Sequence, residues 1–373
     1  MDFLCKFVPI MIYKAILKIR NRAYDKGRRK SFEADVPTIC IGNVTVGGTG
    51  KTPHTEMVLR TLLQSDDWAY ANLAVLSRGY KRKGRGFQQV PVGGSAKDFG
   101  DEPVQIAGKF PIATVAVDKD RVEGCRILAH PENTDTPAAQ VIILDDAFQY
   151  RRLRATYNIV LVDYNRPVHK DKLLPYGRLR DLPSRLGDAD MIIVSKCPPY
   201  LDDEERVEWA RNLGVDGYEP ETCRGTSKKG KEQVLIFTGI SYSQMVPVFP
   251  ESADNRFTYA NRLVLFTGIA NDAPLRRYLS DKHKIVKRLE FPDHHQYSSS
   301  DLSKILKAMK AFPTACVATT EKDAGRILDL KKIPEDLKQR LFQVPIEVAF
   351  LSELEQAVFT AALLGALRKW VRE

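Results

Sequence analysis

The sequence predicts an α/β fold: a parallel sheet with helices on both faces, followed by a smaller C-terminal α/β domain. Three observations carry this. Short apolar runs alternate with helical stretches, most of those runs are apolar throughout, and one of them leads into a glycine-rich loop and then a helix. The runs Pro37–Ile41, Leu73–Ser77, Ala113–Val117, Val141–Leu144, Ile159–Val162 and Met191–Val194 read as strands covered on both faces, since a half-exposed strand would alternate with polar residues. The stretches His54–Leu63 and Arg121–Leu128 supply helices between them. The polar segment TCRGTSKKGKE at 222–232 reads as a linker, with Val234–Ile240 and Leu263–Phe266 opening a second α/β set and Ile285–Leu289 and Ala315–Ala318 continuing it. The expected division is therefore 1–230 and 231–373, with an amphipathic helix over about residues 1–25 and another over Leu354–Val371.

A chain of 373 residues is long enough for two domains. Its net charge of +10 is uneven: residues 1–30 hold nine Lys or Arg against two Asp, and the body is near neutral. A diffuse basic surface would suit nucleic acid. A basic segment on a neutral body suits a local anionic surface instead, so phospholipid is the expected partner, with no nucleic acid and no obligate protein partner. In MDFLCKFVPIMIYKAILKIRNR, Phe3, Leu4, Phe7, Ile10, Met11, Ala15 and Ile19 recur at helical spacing among Lys6, Lys14, Lys18, Arg20 and Arg22. Asp2, Lys14 and the lack of a small-residue cleavage site exclude a secretory signal. An interfacial helix is expected, the alternative being a helix packed on the core with a solvated basic edge. No apolar run is long enough to span a bilayer. Six scattered cysteines (Cys5, Cys40, Cys125, Cys197, Cys223 and Cys316), none in a CxxC pair, read as reduced, mostly buried thiols of a cytoplasmic protein.

The sharpest local signal is PTICIGNVTVGGTGKTPHTEMVLRTLL, in which an apolar strand runs into Gly47, Gly48, Thr49, Gly50, Lys51 and Thr52 and then a helix. Glycines let backbone N–H groups close on phosphate oxygens, and the helix N-terminus adds the positive end of its dipole. Lys51 is placed to reach the β- and γ-phosphates of ATP and Thr52 to ligate magnesium, which makes the sheet P-loop NTPase-like. The strict pattern wants glycine where Thr45 stands, and related loops of partitioning and metal-insertion ATPases carry lysine where Val46 stands. A second half-site is VIILDDAFQYRR, an apolar strand ending in Asp145 and Asp146, where an α/β sheet holds magnesium.

For the acceptor side, GDEPVQIA offers Asp101 and Glu102. A carboxylate there could take a hydroxyl proton, although Gly-Asp-Glu-Pro is also a good helix start. FPDHHQYS sets Asp293 beside His294 and His295, of which at most one faces a common site. SRGYKRKGRGF (Ser77–Phe87) has five basic residues interleaved with Tyr80 and Phe87, which could bind RNA or an anionic substrate. Arg121 sits at a helix start, where its charge opposes the dipole, so a ligand role is slightly more expected for it than for an arbitrary arginine.

The segments GNVTVGGTGKTP, LSRGYKRK, GDEP, DKDR, LDDAFQYRRL, LLPYGRLRD, FTGIAN, FPDHHQYS and TTEKD, in this order behind a basic apolar N-terminus, resemble the tetraacyldisaccharide 4'-kinase family nearly end to end. The resemblance implies transfer of the γ-phosphate of ATP, with Mg2+, to the 4'-hydroxyl of a tetraacyl glucosamine disaccharide 1-phosphate, a lipid A precursor. It places this at the cytoplasmic face of the bacterial inner membrane, the protein being peripheral. It implies Lys51 and Thr52 at the phosphates and magnesium, Asp145 and Asp146 as metal ligands, Asp101 as catalytic base, Asp293 and His294 as its supporting pair, and Arg78 and Arg121 on the lipid head group. Tyr150 stands where the commoner family form has histidine, and Tyr176, Arg178 and Asp181 also depart from it. The competing expectation is a P-loop switch ATPase acting through protein partners. Val46, the basic apolar N-terminus and the lack of a Cys/His cluster weigh against it.

Overall fold

A computed structural model describes residues 2–80, 82–132, 136–293, 295–330 and 332–372, the side chains of residues 2–9 and 372 excepted. The larger sheet contains β1 (Thr38–Asn43), β2 (Leu73–Ser77), β3 (Gln88–Gln89), β4 (Thr114–Val117), β5 (Val141–Asp145), β6 (Tyr157–Asp163), β7 (Met191–Ser195), β8 (Val215–Glu219), β9 (Arg224–Ser227) and β10 (Glu232–Tyr242). Their spatial order is β3-β4-β2-β5-β1-β6-β7-β10-β9-β8. From β4 to β10 every pairing is parallel, while β3 and the pair β9 and β8 close the two edges antiparallel.

The continuously apolar runs are the strands buried on both faces: β1, β2, β5 and β7 are buried at every position. Their side chains alternate between two cores. Cys40, Leu76, Leu144, Val160 and Val194 join one, and Ile39, Ile41, Val75, Ile143 and Leu161 join the other. The second core also takes Met57, Val58, Leu59 and Leu62 from the helix Lys51–Leu63 that follows the glycine loop. Each such side chain contributes about 1.5–3 kcal/mol by leaving water, which fixes the helix against the sheet.

The smaller sheet contains β11 (Val246–Pro247), β12 (Arg262–Thr267), β13 (Lys284–Glu290), β14 (Cys316–Thr320) and β15 (Leu341–Val344), in the order β11-β15-β14-β12-β13. The last strand, β16 (Ile346–Phe350), pairs antiparallel with β10. Two features differ from the division expected at residue 230. The segment 222–232 is not a free linker, because it forms β9 and the turn into β10 at the edge of the larger sheet. Val234–Phe237 pairs with β7 in the larger sheet, whereas Thr238–Tyr242 of the same strand pairs with β16 and delivers Tyr242 onto Tyr278 of the second domain at 5.0 Å. The C-terminal helix Glu353–Arg372 then returns and buries Phe359, Leu363 and Leu367 in the core behind β1. The two sheets are thus joined by a two-stranded crossing.

The N-terminal helix Asp2–Asp25 lies on the larger domain. Leu17 is buried in the core, Tyr13 donates to the Arg180 carbonyl at 2.9 Å and Asn21 donates to Asp181 at 3.0 Å. Met11, Ile12, Ile16 and Ile19 remain exposed. Among the described residues, no helix is long and apolar enough to cross a membrane. Cys40, Cys125, Cys197, Cys223 and Cys316 are free and buried.

Candidate active site

β1 ends at Asn43, beside β5 on one side and β6 on the other. The chain reaches β2 on the β5 side and later crosses to β6, so β1 stands at a switch point, where an open α/β sheet forms its ligand crevice. The loop after β1 needs glycine at two places: Gly47 and Gly50 have φ of 90° and 86°. Gly50 opens the helix Lys51–Leu63 with no side-chain cap and no acidic residue in its first turn, which leaves N–H groups for an anion. The segment 173–181 braces the loop from outside. Val46 N donates to the Arg178 carbonyl at 2.7 Å and Arg180 N to the Val44 carbonyl at 2.9 Å. From inside, Asn43 donates to Thr49 Oγ1 at 2.7 Å and Ser195 Oγ to the Thr49 carbonyl at 2.9 Å.

Asp145 and Asp146 sit at the end of β5, next to this loop. Lys51 Nζ lies 3.7 Å from Asp146 Oδ1, and Arg180 donates to both Asp146 oxygens. Asp146 has φ of 54°, a conformation that non-glycine residues hold only under tight constraint. Burial works against its charge, but Lys51 and Arg180 hold the carboxyl below its usual range. Asp145 is the opposite case. Burial, with Asp146 and Glu102 nearby, pushes it up to about 6. Its Oδ2 accepts from Ser77 Oγ at 3.1 Å, while its buried Oδ1 has no hydrogen-bond partner among the described residues. A divalent cation fits that orphaned oxygen, with buried Thr52 across the loop as a further oxygen donor. No cluster of three or more His, Cys, Asp or Glu suited to a metal occurs among the described residues. Two carboxylates and a hydroxyl suit magnesium, which takes its remaining ligands from phosphates and water.

Asp101 opens the helix Asp101–Lys109, and the second domain closes on it. Arg326, in the helix Glu321–Leu328, donates from Nε and Nη2 to Asp101 Oδ2 at 3.0 and 2.7 Å. The same guanidinium donates to Asp323 Oδ1 at 3.0 Å and to the Gly268 carbonyl at 3.1 Å. Next to it, Lys322 donates to Glu102 Oε1 at 2.8 Å. Burial raises the Glu102 carboxyl, yet Lys322 outweighs it and the net shift is down. Lys109 lies between Glu56 of the loop helix, at 2.9 Å, and Glu321 of the second domain, at 2.5 Å. The GDEP and TTEKD segments are therefore one cross-domain ion-pair network.

The FPDHHQYS segment follows β13. Gly268 admits it closely, since a Cβ there would lie 3.3 Å from both the Pro292 carbonyl and His295 Cβ. Asp293 is exposed. His294 lies outside the described residues. His295 turns into the second domain, where it stacks on Phe291 at 4.9 Å and meets Asp301 at 3.0 Å.

Arg78, just past β2, is exposed. Arg121 is buried, donates to the Asp118 carbonyl at 2.9 Å and lies 5.8 Å from the Tyr150 ring centre. Burial lowers its pKa, opposed by Asp145 and Asp146. Tyr150 donates to Asp120 Oδ1 at 2.9 Å, and Asp120 caps the helix Arg121–Ala129. The tyrosine is thus tied to the Arg121 turn. Asp181 is fully buried and accepts from Asn21 and from Leu182 N, which engages its Oδ1 with the N-terminal helix and its own turn.

Several residues at the site were not singled out from the sequence: Arg326, Lys322, Arg180, Ser77, Asn43, His54, Ser195 and Lys196. His54 is fully buried, contacting the Gly50 carbonyl at 2.7 Å and Thr238 Oγ1 of β10 at 3.0 Å, and burial lowers its pKa to about 4. Its position three residues after Lys51 was the one local signal.

Comparison with known proteins fits this geometry. The family model for tetraacyldisaccharide-1-P 4'-kinase matches residues 7–368. A tetraacyldisaccharide 4'-kinase of Phocaeicola vulgatus is 37% identical over 365 residues, covering 96% of this chain and 93% of its own length. One of Parabacteroides distasonis is 38% identical over 352 residues, covering 92% and 89%. The crystal structure of LpxK from Aquifex aeolicus, an "apo" form in complex with ATP, superposes with a TM-score of 0.71 at 24% identity, covering 97% of this chain and 99% of that one, which shows a shared fold. With a family match over almost its whole length, the chain belongs to the tetraacyldisaccharide 4'-kinase family.

Proposed function

We propose that this chain phosphorylates the 4'-hydroxyl of a tetraacyl glucosamine disaccharide 1-phosphate, using ATP and magnesium. The observation that best supports this is that Gly100, just before Asp101, packs on the turn after β2, where a Cβ on Gly100 would lie 3.6 Å from Gly79 Cα, while Ser77 at the end of β2 donates to Asp145. A candidate base and a candidate metal carboxylate thus stand at the same end of the sheet as the phosphate loop.

In this reading the loop amides and the Lys51 ammonium hold the β- and γ-phosphates. Thr52, Asp145 and Asp146 would hold magnesium, which supplies neutralisation of phosphate charge. Asp101 takes the proton of the 4'-hydroxyl as its oxygen attacks the γ-phosphorus in line, and the bond to the ADP oxygen breaks. Arg326 fixes the carboxylate while Arg180 and Lys51 keep Asp146 ionised. Asp293 and His294 stand as the supporting pair of Asp101, and Arg78 and Arg121 as cations for the head-group phosphate. The exposed row Met11, Ile12, Ile16 and Ile19 on a basic helix supports peripheral attachment to an anionic bilayer, placed by the family resemblance at the cytoplasmic face of the inner membrane. A mass measurement on the lipid after incubation with Mg-ATP tests the reading: one added phosphoryl group, absent with Lys51→Ala, is expected, and an unmodified lipid contradicts it.

A further inference from the structure

The N-terminal helix Asp2–Asp25 has two unlike faces. Met11, Ile12, Ile16 and Ile19 are exposed, whereas Tyr13, Leu17 and Asn21, spaced one turn apart, face the body of the protein. That inner face grips two consecutive residues. Tyr13 Oη donates to the Arg180 carbonyl at 2.9 Å, and Asn21 Nδ2 donates to Asp181 Oδ1 at 3.0 Å. The backbone of the gripped pair is fixed in turn at the root of the phosphate loop, since Arg180 N and Asp181 N both donate to the Val44 carbonyl, at 2.9 and 3.2 Å. The Arg180 side chain then runs to the metal carboxylate. Its guanidinium donates to both oxygens of Asp146, at 3.0 Å for Oδ2, and to Asn43 Oδ1 at 2.5 Å. A second route leaves the same helix at Arg20, which donates to the Gln149 carbonyl, while Gln149 Nε2 donates to the Asn43 carbonyl. Both routes meet on Asn43, whose amide donates to Thr49 Oγ1 of the phosphate loop at 2.7 Å. Asp146 needs this support, because its φ of 54° persists only where the surroundings hold it. Burial of Leu17 is enough to seat the helix; the two polar contacts do something else, which is to fix one turn.

We propose that Tyr13 and Asn21 are positioning residues for the magnesium site, acting through the Arg180–Asp181 turn to hold Asp146 in place for the cation; this rests on Asp146 being a metal ligand. A carboxylate already fixed by the fold need not be ordered when the cation arrives, so the cation binds more tightly than to a loose one.

Calorimetry with ATP in EDTA and with Mg-ATP separates the cation's part of binding from the rest. Tyr13→Phe keeps the ring and removes one hydroxyl. It should lower the ratio of Mg-ATP to metal-free ATP affinity about fivefold, while metal-free affinity stays within about twofold of wild type. Asn21→Ala should act in the same direction. Leu17→Ala loosens the same helix but keeps both donors, so it should lower the midpoint of thermal unfolding and leave the affinity ratio within about twofold of wild type. In turnover, Tyr13→Phe should need more Mg2+ for half-maximal rate and recover kcat at saturating Mg2+. An unchanged ratio in Tyr13→Phe or Asn21→Ala would overturn the proposal. So would a ratio that falls as far in Leu17→Ala as in Tyr13→Phe, which would reduce the contacts to helix packing. Wild-type protein that binds ATP equally with and without Mg2+ would refute the magnesium assignment and the proposal together, whereas Mg2+-dependent binding without lipid phosphorylation would refute the kinase reading alone.

Discussion

Arg326 of the second domain clasps one oxygen of Asp101 with two N–H groups, at 3.0 and 2.7 Å, although 225 residues separate them. The guanidinium is 2% exposed and also holds Asp323 and the Gly268 carbonyl. Removing it takes the ion-pair partner from the fully buried Asp323 and from Asp101 in one step. The expected cost for Arg326→Gln is about 3–5 kcal/mol, measurable by denaturant unfolding. Arg326→Lys keeps the charge but not the fork, so it should fold and lose turnover while leaving Mg-ATP affinity within about twofold. Asp101→Asn can still accept from Arg326 but cannot take a proton. Its kcat should fall about 10²–10⁴-fold with unchanged ATP binding.

Asp145 gives a pH signature. Its carboxyl stands near 6 in the fold against an ordinary 3.8, so the fold favours the protonated form. Ionisation therefore costs stability, and the nucleotide-free protein should lose about 3 kcal/mol from this group as pH rises from 4 to 6. Asp145→Asn should remove that slope and raise the midpoint of thermal unfolding at pH 7 by several degrees, while abolishing stabilisation by Mg-ATP. A lower midpoint for the variant would refute this account of the site.

His54 acts in the opposite sense. Its pKa near 4, against 6.5 for a free imidazole, makes the neutral ring the folded form. Stability from this group is complete above pH 6.5 and falls by about 3 kcal/mol as pH drops to 4. His54→Gln should flatten that part of the acid limb, read as the difference between variant and wild-type unfolding curves.

The N-terminal helix should bind anionic vesicles through Ile12, Ile16 and Ile19. Replacing all three by Ser should reduce vesicle partitioning at least tenfold, since each apolar side chain transferred is worth about 1.5–3 kcal/mol. ATP affinity in solution should not change. Retained partitioning would assign the helix to packing alone.

What the sequence made legible was local. The loop from Gly47 to Thr52 and the pair Asp145 and Asp146 each belong to one strand and its following turn, where a dozen residues fix the geometry. The domain crossing was hidden because Val234–Ile240 reads as a single strand: Thr238 and Gly239 interrupt its apolar run where the partner changes from β7 to β16, but an interruption names no new partner. An amphipathic helix at 353–372 carries no label for the core that receives it. Arg326 and Lys196 were missed for the same reason: their partners Asp101 and Gly48 are brought to them only by the tertiary fold. His295 takes its place through Phe291 and Asp301, both close in sequence, yet the paired-histidine pattern alone did not show that it turns inward.

The central claim is best tested by following γ-labelled phosphate from ATP in detergent micelles containing a tetraacyl disaccharide 1-phosphate and magnesium, with Lys51→Ala and Asp101→Asn in parallel. Label recovered on the 4'-oxygen of the lipid, lost in both variants although Asp101→Asn still binds ATP, is the predicted result. ATP hydrolysed by the wild-type chain while the lipid stays unlabelled would contradict the account and favour a switch ATPase.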